Sequence, residues 1–134
     1  MLLLNGQELI TPYGIWKILL GALSGVEGAV ENKELKEIKA NKQPIGQTDD
    51  PKPFTTHELI LQKGDSIYMF TDGYADQFGG ARGKKFMYSQ LQEKLVEVSE
   101  LTMIEQKSAL KKIHDEWRGD LEQVDDICVI GIKI

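Results

Sequence analysis

The feature that most constrains this chain is a continuous apolar segment that stops at an acidic residue. The segment SIYMFT, residues 66–71, is followed directly by Asp72. An unbroken apolar run is typical of a β-strand covered on both faces, since a strand with one wet face alternates apolar and polar residues. A second such run, ICVIGIKI at residues 127–134, follows an acidic pair. Two strands of this kind predict a sheet that is sandwiched between other layers.

Two helices are predicted between these strands. Ser89 with Gln92, and Thr102 with Glu105, each match the capping-box pattern of a helix N-terminus. Apolar residues follow each box at helical spacing, which indicates that one face of each helix packs on a core. Gly119 stands where a C-terminal cap glycine belongs and predicts the end of the second helix.

Two hairpins are predicted in the first half of the chain. THELILQKGD at residues 56–65 has the character of a strand and ends in a Gly-Asp turn just before the strand at 66–71. A second hairpin is predicted around Asn32 and Lys33, a plausible turn pair. The segment 1–27 has weak periodicity and is compatible with two short strands or with a strand and a helix.

The composition narrows the class of protein. The chain has 134 residues, of which 41% are hydrophobic, as expected for one domain or a large part of one. A net charge of -5 argues against nucleic acid as a partner. The longest apolar stretch, GIWKILLGAL, is too short to span a bilayer and carries Lys17. The single cysteine, Cys128, lies in an apolar run and is predicted to be a small core residue, which fits a reducing cytoplasm.

The acidic residues at the strand ends are the candidate functional residues. Asp72 follows the C-terminal end of strand 66–71, and Asp125 and Asp126 precede the N-terminal end of strand 127–134. If these strands pair antiparallel, the two ends lie side by side and the carboxylates of Asp72 and Asp125 approach each other. Adjacent carboxylates repel unless a cation joins them, and Mg²⁺ and Mn²⁺ prefer oxygen ligands. Ordinary turn and capping roles explain the same residues without a metal, so both interpretations stay open on spacing alone.

Three segments in combination resemble a known family: KGDSIYMFTDGYADQFGG, GKKF and WRGDLEQVDDICVIGIKI. They are similar to the C-terminal half of the SpoIIE-type serine phosphatase domain, the bacterial branch of the metal-dependent PPM protein phosphatases related to protein phosphatase 2C. The resemblance covers residues 28–134 and leaves 1–27 as a segment without a clear match. It implies an α+β fold, a partial PPM-type α-β-β-α sandwich with antiparallel strands and two helices between the last strands.

The same resemblance implies a metal-dependent chemistry. The family uses two Mn²⁺ or Mg²⁺ ions that hold a bridging water, which attacks the phosphorus of a phosphoserine or phosphothreonine. Carried over by motif, Asp72 and Asp125 correspond to metal ligands, Gly73 to the glycine beside the first acid, and Asp126 to a residue that supports the ligands. The family's other ligands lie in a Gly-Asp strand and an Asp-x-x-Gly-His-Gly motif, and neither has a counterpart in this sequence.

Functions from different classes follow from this half-matched site. The first is a metal-dependent phosphatase domain that hydrolyses phosphoserine on a bacterial signalling protein, such as an anti-sigma-factor antagonist, in the cytoplasm. The second is a catalytically inactive half-domain that acts as a protein-interaction or regulatory module, and a chain without a function of its own is a third. The expected partners are a phosphoserine protein and a second copy bound through an exposed sheet, with no nucleic acid and no membrane.

Overall fold

The computed structural model describes residues 2–4, 7–9, 17–22, 34–38, 53, 57–61 and 63–134. Its strands are β1 (Leu2–Leu4), β2 (Gln7–Leu9), β3 (Lys17–Ala22), β4 (Glu34–Ile38), β5 (His57–Leu59), β6 (Ser66–Phe70), β7 (Phe78–Gly79), β8 (Lys84–Lys85) and β9 (Val129–Lys133). Its helices are α1 (Gly73–Asp76), α2 (Tyr88–Val98) and α3 (Met103–Arg118). Within this described part, no helix has the length and apolar character needed to cross a membrane.

The described strands form three sheets, and β6 is one of the two inner strands of the largest sheet. The largest sheet has the order β4-β3-β6-β9, beside a sheet of order β2-β1-β5 and the pair β7-β8. β6 pairs antiparallel with β3 on one side and with β9 on the other. Its register aligns Phe70 with Lys17 of β3 and with Val129 of β9. The prediction of an α+β arrangement with antiparallel strands is confirmed.

All five residues of β6 are buried, and helices cover one of its faces. Tyr68 and Phe70 belong to a core cluster with Leu91 and Leu95 of α2 and Leu110 of α3. The Tyr68 hydroxyl donates a hydrogen bond of 2.8 Å to Gln106 Oε1, which pairs the polar end of the tyrosine inside this core. Burial of each such side chain stabilises the folded chain by about 1.5–3 kcal/mol. The packing on this face of β6 therefore fixes the position of the strand from which the next loop begins.

The prediction that residues 127–134 form a strand covered on both faces is wrong. β9 pairs with β6 alone in the part of the chain that the structure describes. Ile130 and Ile134 are each 41% exposed, and Cys128 is exposed as well, so it is not the predicted core residue. The apolar composition marked a strand correctly, but position at an edge of the sheet leaves it half covered.

The hairpin predicted between residues 56–65 and 66–71 is also wrong. β5 pairs parallel with β1, with His57 opposite Leu2, and so belongs to a different sheet from β6. Gly64 has φ 100 and donates its N–H to the Ile134 carbonyl at 2.9 Å, so the turn contacts the C-terminal residue as the chain enters β6. In the segment 1–27, the described residues form strands, which favours the all-strand alternative.

The second predicted hairpin, with its turn at Asn32 and Lys33, is also wrong. β4 does pair antiparallel, but its partner is β3, with Ala22 opposite Glu34, so residues 23–33 separate the paired strands where a two-residue turn was predicted. The predicted turn residues, Asn32 and Lys33, lie outside the described residues.

The two predicted capping boxes have different outcomes. In α3 the box is confirmed, because the Thr102 hydroxyl accepts the Glu105 N–H at 3.3 Å and Glu105 Oε2 accepts the Thr102 N–H at 2.9 Å. The hydrogen bond from the Thr102 backbone also lowers the pKa of Glu105. Gly119 ends α3 with φ 56, as predicted. In α2 the box at Ser89 is wrong, since the cap residue is Met87, whose N–H bonds to the Ala75 carbonyl at 2.8 Å.

Candidate metal centre at the end of the central sheet

The antiparallel pairing of β6 and β9 brings the two acidic segments to the same end of the sheet. The last aligned pair is Phe70 with Val129. Phe70 lies two residues before Asp72, and Val129 lies three residues after Asp126. One residue further on, the Thr71 N–H donates to the Cys128 carbonyl at 3.0 Å. The antiparallel pairing on which the predicted site depends is therefore present.

Thr71 joins the two segments through its side chain as well. Its hydroxyl donates to the Asp126 carbonyl at 3.0 Å and accepts the Cys128 N–H at 3.0 Å. The sequence analysis missed this role. The available signal was a lone hydroxyl between the buried Phe70 and the acidic Asp72, at the point where a strand ends.

Gly73 is required by the close approach of the second segment. A Cβ atom placed on Gly73 would lie 2.4 Å from the Asp126 carbonyl oxygen and 3.2 Å from Ile127 Cγ1. Any side chain here would therefore displace the backbone that follows Asp125. The glycine predicted to stand beside the first acid thus has a packing reason in this structure.

Asp72 lies directly before α1 and is partly exposed. Its side chain makes no capping hydrogen bond to α1. Burial first, and then the charges of Asp72, Asp76 and Glu37, raise the pKa of the Tyr88 hydroxyl, which shows that these carboxylates share one neighbourhood. Asp76 also forms an ion pair of 3.1 Å with Lys85. Sequence reasoning did not find Glu37, because it comes from β4, a strand distant in the chain.

Asp125 and Asp126 lie on the exposed segment that leads into β9. One carboxylate oxygen of Asp125 accepts the Asp126 N–H at 2.7 Å, and the Asp125 carbonyl accepts a hydrogen bond of 2.8 Å from Gln123 Nε2. These local bonds give the segment a defined turn. Asp126 takes part through its carbonyl, which receives the Thr71 hydroxyl.

The donor atoms at this end of the sheet suit a hard divalent cation. They are carboxylate and carbonyl oxygens, which Mg²⁺ and Mn²⁺ prefer. Among the residues that the structure describes, however, no group of three or more His, Cys, Asp or Glu side chains could hold a metal ion. Asp72 and Asp125 thus fit part of a coordination shell, and their role as metal ligands stays a prediction.

The chain matches a known protein family and a solved structure. The family model described as Stage II sporulation protein E (SpoIIE) matches residues 28–134. Among solved structures, the chain is similar to the "SiaA-PP2C domain of Pseudomonas aeruginosa", with a TM-score of 0.72 and 24% sequence identity. That alignment covers 90% of this chain and 44% of the other, so the chain spans less than half of that structure. No curated protein sequence matches the chain.

The structural match shows the fold, and the family model shows the family. The structural likeness shows a PP2C-like fold, which confirms the predicted partial PPM-type α+β domain. The family model covers most of the sequence, including both acidic segments. This chain belongs to the SpoIIE family and carries part of a PPM-type phosphatase domain.

Proposed function

We propose that this chain supplies the Asp72 and Asp125 side of the metal centre of a metal-dependent protein serine/threonine phosphatase. The observation that supports the proposal is the pairing of β6 with β9, which sets the two acidic segments side by side in a SpoIIE-family chain. Asp72 follows the buried strand, so its backbone is anchored by the core. Asp125 lies on the exposed segment that precedes β9.

Each residue has a task that its position suits. The carboxylates of Asp72 and Asp125 would hold Mn²⁺ or Mg²⁺, and Gly73 and the Asp126 carbonyl keep the two segments in contact. When bound, the cation would stabilise the negative charge that builds up on phosphoryl oxygens during hydrolysis. The proposed substrate is phosphoserine on a bacterial cytoplasmic signalling protein, such as an anti-sigma-factor antagonist.

A second function is supported by the incomplete ligand set. The described residues offer no cluster of three ligating side chains, and the chain spans 44% of the solved structure that it resembles. A chain that binds no cation would act instead as a protein-interaction or regulatory module. Cation binding therefore separates the two proposals.

The experiment is a calorimetric titration of the purified chain with Mn²⁺. Weak binding is expected, because a divalent cation held by few protein oxygens retains most of its water. Asp72→Asn should abolish this binding while the chain stays folded, since the amide keeps the shape of the side chain. Its stability without metal should stay level or rise, because the substitution relieves repulsion between carboxylates. Asp120→Asn is the matched control, an exposed acid beyond the end of α3, and should bind like the unaltered chain.

The titration and a turnover assay together have decisive outcomes. The absence of any Mn²⁺ binding by the unaltered chain would reject the metal-centre proposal and favour the interaction module. Turnover of p-nitrophenyl phosphate by this chain alone is expected to stay near background. Robust turnover that depends on Mn²⁺ would show that other residues complete the site, and Glu8, Glu27 and Glu31 would be the first to replace.

A further inference from the structure

We propose that Thr71 is a positioning residue, whose hydroxyl holds segment 125–128 against the end of β6 and so sets the place of Asp125 relative to Asp72. The inference deepens the proposed function, on which it rests for the meaning of the site. Its geometric content can be tested without a metal.

The contacts of Thr71 are concentrated on one short stretch of backbone. Its N–H donates to the Cys128 carbonyl, its hydroxyl accepts the Cys128 N–H, and the same hydroxyl donates to the Asp126 carbonyl, each at 3.0 Å. The first bond is made by the backbone and does not depend on residue type. The other two belong to the hydroxyl alone, so the identity of the side chain matters.

The stretch that Thr71 holds has little other burial. The strand pairing of β6 with β9 ends at Phe70 and Val129, so residues 125–128 lie beyond the ladder. Asp125, Asp126 and Cys128 are exposed, and Ile127 is half-buried. Ile127 packs against the core cluster, and the hydrogen bonds of Thr71 hold the exposed residues on either side of it, Asp126 and Cys128.

The hydroxyl also acts where electrostatics opposes it. Asp72 and Asp125 both have carboxylate side chains, and bringing two carboxylates together raises the free energy when no cation is bound. Neutral hydrogen bonds to the backbone of Asp126 and Cys128 offset this repulsion without competing for the carboxylate oxygens. Threonine suits the task because its β-branch restricts χ1 and keeps the hydroxyl directed at one place.

The test uses the intact chain and measures amide hydrogen exchange at Cys128. Thr71→Val keeps the shape and the β-branch but removes the hydroxyl, whereas Thr71→Ser keeps the hydroxyl. We expect the exchange rate of the Cys128 amide to rise about tenfold in Thr71→Val. The loss of one hydrogen bond changes the equilibrium between the closed and open segment by roughly five- to tenfold. Thr71→Ser should remain within about threefold of the unaltered chain. The amides of Met69 and Ile130, a hydrogen-bonded pair in the middle of the β6–β9 ladder, serve as internal references and should not change.

A second readout follows Mn²⁺ affinity in the same variants. Thr71→Val should weaken Mn²⁺ binding about tenfold, and Thr71→Ser should restore it, because the serine hydroxyl can make the same two bonds. If the unaltered chain binds no Mn²⁺, the metal-centre proposal fails, and the exchange rates still decide the role of Thr71.

Two results would overturn the inference. One is an equal exchange rate at Cys128 in all variants, which would show that other contacts hold the segment. The other is a loss of protection at Cys128 that is matched at Met69 and Ile130 and is not restored by serine, which would mark a general loss of stability. Thr71→Ala provides a second hydroxyl-free variant if Thr71→Val does not fold.

Discussion

β6 and β9 have nearly the same apolar character and very different surroundings. Every residue of β6 is buried, whereas β9 has exposed and half-buried residues along its length. The difference comes from their places in the sheet, since β6 lies between β3 and β9 and β9 pairs with β6 alone among the described strands. An apolar run thus identifies a strand but does not say how many neighbours it has.

The same difference divides the candidate site into a firm side and an exposed side. Asp72 follows β6, whose side chains Tyr68 and Phe70 pack against α2 and α3. Asp125 lies on an exposed turn whose following residues contact Thr71 and Gly73, just beyond the end of β6. In the proposed site, Asp72 would therefore have a well-packed base, and the position of Asp125 would depend on hydrogen bonds such as those of the Thr71 hydroxyl.

Thiol labelling should show the largest contrast between the two strands. Cys128 is the only cysteine, and its exposure predicts rapid labelling in the native chain, within about tenfold of the unfolded chain. In a Cys128→Ser background, Met69→Cys places the thiol on buried β6, where labelling requires opening of the structure. We expect labelling there to be slower by about a thousandfold or more. Equal rates, measured with a thiol reagent, would contradict the assigned places of the strands.

Replacing one isoleucine in each strand should separate them in stability. Ile67 in β6 is fully buried, and Ile67→Ala should lower the free energy of unfolding by about 3 kcal/mol. Ile130 in β9 is 41% exposed, and Ile130→Ala should cost only about 1 kcal/mol. Denaturant unfolding of the two variants measures both values. Similar losses would mean that β9 is covered as fully as β6.

Replacement of Gly73, in α1 just after β6, and of Gly131, in β9, should have different effects on stability. Gly73→Ala brings a Cβ to 2.4 Å from the Asp126 carbonyl, which is backbone and cannot move aside cheaply, so a loss of about 2 kcal/mol is expected. Gly131→Ala brings a Cβ to 3.1 Å from Met103 Sδ, the flexible end of a side chain, and should cost about 1 kcal/mol or less. Thermal unfolding compares the pair. A larger loss at Gly131 would contradict the close approach at Gly73.

The stability of the chain should also depend on pH through His114 of α3, and this is the smallest of the expected effects. Burial lowers the pKa of His114, whose ring lies 5.1 Å from that of Tyr74, and the opposing influence of Asp115 is weaker. The unfolded chain therefore binds the proton more readily, so stability is full above about pH 6.5 and falls as the pH decreases below it. His114→Gln should flatten this slope in melting temperatures measured between about pH 5 and 7. A slope that is unchanged in the variant would assign the pH dependence to other groups.

Local and paired patterns in the sequence predicted much of this structure. The cap of α3 was predictable because Thr102 and Glu105 bond to each other within one turn. The meeting of the acidic segments was predicted on the condition that the two strands pair antiparallel, since antiparallel neighbours place opposite termini together, and that pairing is present. The errors concern contacts between distant segments. The N-cap of α2 is Met87, whose N–H bonds to the Ala75 carbonyl, and not Ser89 as predicted. β5 pairs with β1, a strand distant in the sequence.

The candidate site shows the same limit. Asp72, Gly73 and Asp125 were recognisable from their motifs, but the roles of Thr71 and Glu37 depend on partners that only the fold reveals. Both partners of the Thr71 hydroxyl are backbone groups, which every residue type offers, so the sequence does not indicate them. Its function could be assigned only after the strands had been paired.

The most direct test of the account is paramagnetic broadening of amide NMR signals by substoichiometric Mn²⁺. If the ends of β6 and β9 form one cation site, signals of Gly73 and Asp126 should broaden together, and signals of Asp120 and Leu121 should remain sharp. Asp72→Asn should remove the broadening from both segments at once, because they share the ion. Broadening confined to one segment, or spread evenly over the exposed acids, would contradict a shared cation site at this end of the sheet.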